Sequence, residues 1–427
     1  MLNHTYLKCV LCGDEVIDDG LVNEHGCESL LRAVYNNKQF VVRPGNDLFK
    51  FSNWLPISRE LAGSSSPITY RSENLSSNLG LDNLFITFSG FWEEKSALME
   101  TCTFKECEAY AVLSRFPKES GKILVVATAG NTGRAFIKVA SDNEIPLVVV
   151  IPKDNIDNLW GYKKADCVKI VATGDGSDYT DVITLAGQLC QFPHFVSEGG
   201  AKNVARRDGM GTVMLSAAQY IGDVPDYYFQ AVGSGTGAIA VWEANMRLIE
   251  SGFTKKTTSL QLSQNAPFLP LYNAWKAGSQ SLLKQDPQEA KAQIAETTAQ
   301  VLTNRTPPYA IVGGLYDALK STSGDMWAVT NDEIASAQSM FLDLEGCDIC
   351  PEAGAALASL RKAVADGVIN KNHSIVINIT GGGFIASKSR AGTYNMEADM
   401  VIPLEDIHDR TKTEELAKRL GVGETNP

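Results

Sequence analysis

The sequence of 427 residues contains no long apolar run and few cysteines, and each shortage excludes a class of protein. Its longest apolar runs, such as residues 147–152, have the length of a strand, whereas a membrane-spanning helix needs about 20 apolar residues. Nine cysteines, an odd number, argue against a disulfide framework and favour thiols in a reducing compartment. The first residues lack a basic region followed by an apolar stretch, so we expect no secretory signal peptide and a cytoplasmic protein.

Positive charge is also in short supply. The 38 Lys and Arg residues are outnumbered by 50 Asp and Glu residues, which gives a formal net charge of −12. Nucleic acids and anionic membranes bind to basic surfaces, so we expect neither as a partner. The hydrophobic fraction of 44% and the charged fraction of 21% are ordinary for a globular chain, and the length predicts two to three domains.

Several catalytic motifs are missing from the chain. The five histidines show no H-E-x-x-H spacing, and there is no G-x-S-x-G nucleophile turn, so neither a catalytic zinc centre nor hydrolase triad chemistry is expected. A P-loop would need Gly-Lys-Ser/Thr, which does not occur after a glycine-rich turn. The run Gly233 to Gly237 has G-x-G-x-G spacing, which differs from the G-x-G-x-x-G of dinucleotide-binding folds.

From residue 122 onward, short β-branched runs alternate with amphipathic stretches. The pattern predicts strands at 123–127, 146–151, 167–172, 226–232 and 374–379, and helices at 133–141, 178–190, 238–251, 284–303 and 352–364. Apolar strands interleaved with helices indicate a doubly wound α/β fold with parallel sheets that are covered on both faces. No Pro/Gly-rich linker separates independent folds, so we predict two closely packed α/β lobes.

The first thirty residues form a separate, cysteine-bearing segment. Cys9 and Cys12 have C-x2-C spacing, and His25 and Cys27 follow with one residue between them. Thiolates and imidazoles are the usual ligands of tetrahedral zinc, although the second pair is irregularly spaced. The segment is predicted to be a zinc-ribbon-like knuckle, and both a zinc-loaded and a metal-free form remain open.

Three glycine-bearing turns follow predicted strands, at residues 128–133, 233–237 and 380–383. Glycine lets the backbone approach a ligand closely, and consecutive N–H groups at a helix start attract anions. Ligands of open α/β sheets lie at the carboxyl ends of strands, where these turns are placed. Any one turn alone is more typical of tight packing than of a phosphate site.

Lys105 gains its meaning from the motifs around it, because a lone lysine beside an aromatic residue is ordinarily a solvated side chain. Thr103-Phe104-Lys105, Gly130-Asn131-Thr132-Gly133, Gly233 to Gly237 and Thr380 follow one another in this order. The pattern resembles the pyridoxal-phosphate enzymes of fold type II (tryptophan synthase β-like), in their threonine synthase branch. The resemblance runs from about residue 30 to residue 415.

That resemblance implies the cofactor and the residues that hold it. The cofactor is pyridoxal 5'-phosphate, and Lys105 forms the imine with it and acts as the catalytic base. The remaining implied contacts are the cofactor 3-hydroxyl with Asn131, its phosphate with Gly233, Ser234, Gly235, Thr236 and Gly237, and its pyridine nitrogen with Thr380. The resemblance also implies a knuckle at 1–30, a large cofactor-binding lobe at 31–105 and 206–427, and a small lobe at 106–205.

One motif departs from the threonine synthase pattern. Threonine synthases continue with Lys-Asp-Arg-Gly, whereas this chain has Lys105-Glu106-Cys107-Glu108. Together with residues 88–95 and 99–102, the sequence that follows Lys105 resembles that of the cysteate synthase family. The resemblance implies a homo-oligomer that converts O-phospho-L-serine and sulfite to L-cysteate and phosphate through aminoacrylate, in coenzyme M biosynthesis. Threonine synthase, another phosphoserine or acetylserine β-replacing enzyme such as a cysteine synthase, and a catalytically inactive binding protein remain alternatives.

Both implied substrates are anions, so an acidic protein has to collect cations at its cleft. Residues 202–207 form the best basic cluster, in which Lys202 and Arg206 are the candidate anion ligands. Asn203-x-x-Arg206 within it resembles the Asn-Pro-x-Arg stretch of threonine synthases, and an arginine fork matches phosphate or sulfonate oxygens. The alternative is a basic helix start that pairs with Asp208. By family analogy, the substrate carboxylate is bound by residues of the first glycine turn, namely Thr128, Ala129, Gly130 and Thr132.

Overall fold

The computed structural model describes residues 4–390 and 392–421, so residues 1–3 and 422–427, at the ends of the predicted knuckle and large lobe, lie outside the described residues. The strands of this part of the chain are β1 His4–Cys9, β2 Glu15–Val16, β3 Leu31–Tyr35, β4 Ile68–Arg71, β5 Asn83–Phe88, β6 Phe91–Trp92, β7 Ala97–Leu98, β8 Ile123–Ala127, β9 Leu147–Pro152, β10 Trp160–Gly161, β11 Val168–Thr173, β12 Phe195–Ser197, β13 Tyr227–Ala231, β14 Ser259–Asn265, β15 Asp325–Val329, β16 Ser374–Ile379, β17 Tyr394–Asn395 and β18 Met400–Ile402.

The α-helices are α1 Asn74–Leu79, α2 Lys105–Arg115, α3 Asn131–Asn143, α4 Tyr179–Leu189, α5 Val204–Ile221, α6 Thr236–Glu250, α7 Pro270–Lys276, α8 Pro287–Glu296, α9 Leu315–Ser321, α10 Asn331–Glu345, α11 Pro351–Ala365, α12 Phe384–Ser389 and α13 Arg410–Gly421. Among the described residues, no helix is long and apolar enough to cross a membrane.

The larger sheet has six strands in the order β15-β14-β13-β16-β5-β4, and only the edge strand β4 runs antiparallel. Its strand β16 is buried on both faces. Ile375 and Ile377 pack into the cluster that contains α10 and α11, whereas Val376 packs into the cluster that contains α5 and α6. Helices on both faces explain why β16 has a continuous apolar run instead of an alternating pattern.

The smaller sheet has five parallel strands in the order β12-β8-β9-β11-β18. Residues of α4 and α13 cover one face, and residues of α3 contribute to the cluster on the other face. The two doubly wound α/β lobes that the sequence predicts are therefore confirmed. Strand β18 departs from the predicted division, because it lies within 206–427 and yet pairs with β11 of the small lobe.

One predicted helix is wrong over half its length. The sequence predicts a solvated helix at 284–303, but helix α8 ends at Glu296 and residues 300–302 form a short 3-10 turn. Asn331 donates to the Glu296 carbonyl at 2.8 Å, and Asn265 accepts from the Ala299 N–H at 2.9 Å. These side chains take the backbone groups that further helical turns would use, so the helix stops there.

The N-terminal segment is a three-stranded antiparallel sheet in the order β2-β1-β3, which extends from residue 4 to residue 35, beyond the predicted boundary at residue 30. Its own core is small. Leu7, Cys9 and Leu31 are buried against Val204 at the start of α5. We call residues 4–35 the knuckle.

Candidate active site

The carboxyl ends of β8, β13 and β16 open into one cavity of about 300 Å³. The turns that follow these strands line it, together with the first residue of α2 and the loop at 300–308. The topology accounts for part of this convergence, because β13 and β16 are parallel neighbours in the larger sheet and present their carboxyl ends along the same edge, whereas β8 reaches the cavity from the smaller sheet.

Lys105 is the first residue of α2 and lies in the cavity wall. The preceding backbone is fastened to the end of β16, since the Phe104 N–H donates to the Thr380 carbonyl at 2.9 Å. The Lys105 side chain is 21% exposed, and its Nζ lies 3.1 Å from Glu108 Oε2. Lys105 and Thr380, far apart in sequence, are thereby placed on the same side of the cavity.

The turn at 128–133 has a backbone that requires glycine. Gly130 has φ +148°, and a Cβ there would lie 2.7 Å from Asn158 Cβ. Thr128 Oγ1 accepts the N–H groups of Gly130 at 3.0 Å and Gly133 at 2.9 Å, which closes the turn at the start of α3. Asn131 then begins α3, and its Oδ1 accepts from Arg134 at 2.9 Å. Ala129 and Thr132 complete the cavity wall here.

The turn at 233–237 leads into α6, a helix of 15 residues that begins at Thr236. Gly235 has φ +80°, which favours glycine, and a Cβ on Gly233 would lie 2.9 Å from the Leu302 backbone. Ser234 Oγ and Thr236 Oγ1 lie 2.8 Å apart at the helix start. Backbone N–H groups, two hydroxyls and a helix N-terminus together make a site for a phosphate group.

Arg206 and Lys202, the two predicted anion-binding cations, lie in different places. Arg206 is buried in the cavity wall, and its guanidinium is 2.7 Å from Glu198 Oε1 and 3.2 Å from Glu108 Oε1. Burial opposes the charge of Arg206, but the two carboxylates outweigh it and raise the pKa of the guanidinium. Lys202 lies outside the cavity lining, is 44% exposed and forms an ion pair with Glu24.

The alternative prediction for Arg206, a pair with Asp208, is wrong. Asp208 instead accepts from Tyr35 and forms an ion pair with Arg247. Lys202 ends a short 3-10 turn before α5, whereas Arg206 and Asp208 occupy different positions around α5, which is buried over most of its length. The sequence shows the clustered charges but not which helix face each of them occupies.

Sequence reasoning missed several residues of the cavity. Glu108 and Glu198 escaped notice as partners of Arg206, and the position of Glu108 three residues after Lys105 is the signal that could have identified it. Glu352, near the start of α11, also lines the cavity, and burial raises the pKa of its carboxyl group. Cys350, the residue before α11, also lines the cavity, and its N–H donates to the carbonyl of Gly381, the residue after Thr380, at 3.1 Å.

The residues present fit pyridoxal phosphate. The cavity offers a partly shielded lysine amine, the amide of Asn131, the hydroxyl of Thr380 and the phosphate-type turn at 233–237. Thr103 Oγ1 is also buried in this wall and has no hydrogen-bond partner among the described residues. Lys105 would hold the aldehyde of the cofactor, while the turn at 233–237 would hold its phosphate.

Comparisons with known proteins agree with this composition of the site. Residues 69–381 match the family model described as pyridoxal-phosphate dependent enzyme. A fungal L-serine ammonia-lyase from Rhizomucor miehei has a similar structure, with a TM-score of 0.58, 16% identity, and coverage of 74% of this chain and 93% of that chain. The chain belongs to the pyridoxal-phosphate-dependent enzymes of fold type II, and pyridoxal 5'-phosphate is its cofactor.

Two relatives identify the family to which the chain belongs within this class. The cysteate synthase of Methanosarcina acetivorans is 46% identical over 404 residues, which is 94% of this chain and 97% of that protein. The cysteate synthase of Methanosarcina barkeri is 46% identical over 394 residues, which is 92% of this chain and 95% of that protein. Within its class, the chain is a member of the cysteate synthase family.

Proposed function

We propose that this enzyme converts O-phospho-L-serine and sulfite to L-cysteate and phosphate. In this β-replacement, the Cβ–O bond to phosphate breaks and a C–S bond to the sulfur of sulfite forms, with no net oxidation or reduction. The observation that carries the proposal is the relationship to cysteate synthases over more than nine-tenths of the chain. The convergence of Lys105, Asn131, Thr380 and the turn at 233–237 in one cavity supports it.

The bound cofactor supplies an electron sink for the carbanion that forms when the substrate loses its Cα proton. Lys105 is the residue placed to remove that proton and to return it at the end of the cycle. Its Nζ lies within the cavity, and Glu108 accepts a hydrogen bond from it at 3.1 Å. Glu108 would therefore orient the amine at the stages when it is not bonded to the cofactor.

The hydroxyl of Thr380 would face the pyridine nitrogen. A neutral hydroxyl cannot enforce protonation of that nitrogen as a carboxylate would, which weakens the electron sink. A weaker sink suits β-elimination, in which the leaving phosphate takes the electrons away.

Substrate anions would bind at two edges of the cavity. The start of α3 offers its backbone N–H groups and the Thr132 side chain to the substrate carboxylate. Arg206 also lines the cavity, but Glu108 and Glu198 share its charge. We propose that Arg206 contributes to the substrate-facing charge as part of this group rather than as a free cation, and that Lys202 has no part in substrate binding.

The setting of the reaction follows from the same proposal. We propose a cytoplasmic homo-oligomer that acts in coenzyme M biosynthesis, with small anionic molecules as its substrates. The nine cysteines, all of them free thiols in the structure, support a reducing compartment. We also propose that residues 106–205 with β18 form the small lobe and that the remaining chain after the knuckle forms the large lobe.

The purified holoenzyme tests the proposal directly. It is incubated with O-phospho-L-serine and with sulfite or sulfide in turn, and the amino-acid product and released phosphate are measured. We expect L-cysteate and phosphate in equal amounts with sulfite. Cysteine from sulfide as the preferred product, or threonine from O-phospho-L-homoserine, would contradict the proposed substrate pair.

A further inference from the structure

The knuckle contains a cluster of thiols that the proposed reaction does not use. The sulfur atoms of Cys9, Cys12 and Cys27 all lie within 4.8 Å of one another. Cys9 ends β1, Cys12 lies in the turn that follows, and Cys27 comes from the segment that leads into β3. Two separate segments of the chain therefore bring three soft ligands to one point.

The spacing of these sulfur atoms matches a tetrahedral metal site. With Zn–S bonds of about 2.3 Å, two sulfurs on a tetrahedral zinc lie about 3.8 Å apart. Cys12 Sγ and Cys27 Sγ lie 3.7 Å apart.

A fourth ligand is available beside the thiols. His25 belongs with Cys12 and Asp14 to a second group of ligand atoms within 4.8 Å of one another. His25 Nε2 lies 3.2 Å from Asp14 Oδ2. Histidines that bind metals commonly donate their other ring N–H to a carboxylate, which fixes the ring. Asp14 fits this supporting role, which leaves the other ring nitrogen of His25 for the metal.

The knuckle also lacks the core that would stabilise it alone. Its buried apolar cluster contains Leu7, Cys9 and Leu31 and needs Val204 from α5 to complete it. Segments below about 40 residues usually need disulfides or metals to hold a fold. No disulfide joins the nine cysteines.

We propose that Cys9, Cys12, Cys27 and His25 bind one structural zinc ion, with Asp14 holding the His25 ring. All four positions are occupied by protein side chains, so the metal has no open position for substrate. The site is structural and is separate from the cofactor cavity.

The proposed zinc has a mechanical connection to the active site. Asp18, in the same segment, forms a bidentate ion pair with Arg115 at 2.7 and 3.0 Å. Arg115 is the last residue of α2, the helix that begins with Lys105. On another side, the Leu30 N–H donates to the Val312 carbonyl at 2.9 Å, just after the cavity-lining loop at 300–308. The knuckle therefore supports two walls of the cavity.

Metal analysis of the holoenzyme, purified without chelators, tests the proposal. We expect one zinc per chain in the wild type, and a content below about 0.1 per chain in Cys12→Ser and Cys27→Ser. Cys347→Ser is the matched control, because Cys347 also belongs to a C-x2-C pair but to none of the ligand clusters of the described chain. It should retain one zinc. Asp14→Asn should weaken zinc affinity by about 10–100-fold.

X-ray absorption at the zinc edge gives a readout that does not depend on the variants folding. We expect three sulfur atoms and one nitrogen atom around zinc in the wild type. Wild-type protein without zinc, a Cys12–Cys27 disulfide in a peptide map, or full zinc content in Cys12→Ser would each overturn the proposal. Because these measurements follow the metal, they stand even if the proposed substrates prove wrong.

Discussion

The catalytic cavity and the knuckle both collect groups that become negative when ionised, but they balance that charge differently. Beside the cavity, Glu108 and Glu198 both pair with Arg206, and Glu108 also contacts Lys105. In the knuckle, three thiols converge on one another, next to His25 and Asp14. The cavity thus pairs its carboxylates with protein cations, whereas the thiols of the knuckle would take the proposed zinc from solution.

This difference has a physical consequence. A buried carboxylate without a partner is costly, and a protein that supplies the partner fixes the arrangement when it folds. A thiol can remain protonated until a metal displaces its proton, so a thiol cluster stays neutral until its metal ion binds. The charges of the two regions should therefore be independent of each other, although the knuckle supports two walls of the cavity, and the following predictions test that independence of charge.

The largest effect is expected for Lys105→Ala. Loss of the base alone should reduce turnover by about 10²–10⁴-fold, and the absorption band of the lysine-bound cofactor should disappear. Zinc content should stay at one per chain if the two regions are independent. Steady-state kinetics, a visible spectrum and metal analysis measure these outcomes, and wild-type activity in the variant would remove Lys105 from the reaction.

Arg206→Ala should act on stability as well as on substrate binding. The substitution leaves the buried Glu108 and Glu198 without their shared cation, which should lower the free energy of unfolding by about 3–5 kcal/mol. The KM for phosphoserine should also rise. Chemical denaturation with the cofactor bound measures the first effect. A raised KM with unchanged stability would mean that the guanidinium serves the substrate alone.

A smaller, pH-dependent effect is expected for Glu106→Gln. Glu106 is buried two residues before Glu108, and its Oε2 has no hydrogen-bond partner among the described residues. Burial raises the pKa of the Glu106 carboxyl, although the positive charge of Lys138 acts to lower it. A carboxyl whose pKa is raised on folding stabilises the fold at low pH, and this contribution is lost as the pH rises through the raised pKa.

Glu106→Gln should therefore gain stability relative to the wild type as the pH rises above about 4.5, the ordinary pKa of glutamate, by about 1.4 kcal/mol for each pH unit until the raised pKa is passed. Calorimetry at a series of pH values from acidic to neutral measures the difference. Glu119→Gln, at an exposed position, is the matched control and should show no such trend. A constant difference for Glu106→Gln would contradict the raised pKa.

The smallest effect is expected for Lys202→Ala. Its side chain is 44% exposed and pairs with Glu24 of the knuckle, and exposed ion pairs contribute at most about 1 kcal/mol. We expect KM for phosphoserine to change by less than about twofold on this basis. A large rise in KM would mean that Lys202 contributes to substrate binding. It would also mean that the charges of the knuckle and of the cavity are coupled.

The parts of the site that the sequence predicted are those carried by short motifs. Residues 123–127 and 374–379 form strands with the predicted bounds, and the turns after them line the cavity together with Lys105. A strand, a glycine turn and a helix start are determined within a few residues, so their signals survive in the linear sequence.

The parts that the sequence missed depend on contacts between distant segments. Helix α8 stops early because Asn265 and Asn331, both outside the helix, take its backbone groups. Strand β18 joins the small lobe because it pairs with β11, far back along the chain. Neither contact can be recognised from the local pattern of residues.

The sequence by itself determined the doubly wound α/β fold and the three turns, because each rests on local periodicity or on a glycine that the backbone requires, and it singled out Lys105 through the resemblance to a known family. Only the tertiary structure decided that Arg206 is shared by two buried glutamates, that Lys202 pairs with the knuckle, and that three thiols meet at one point. Charge pairing depends on which side chains lose their water together, and packing between distant segments decides which ones those are.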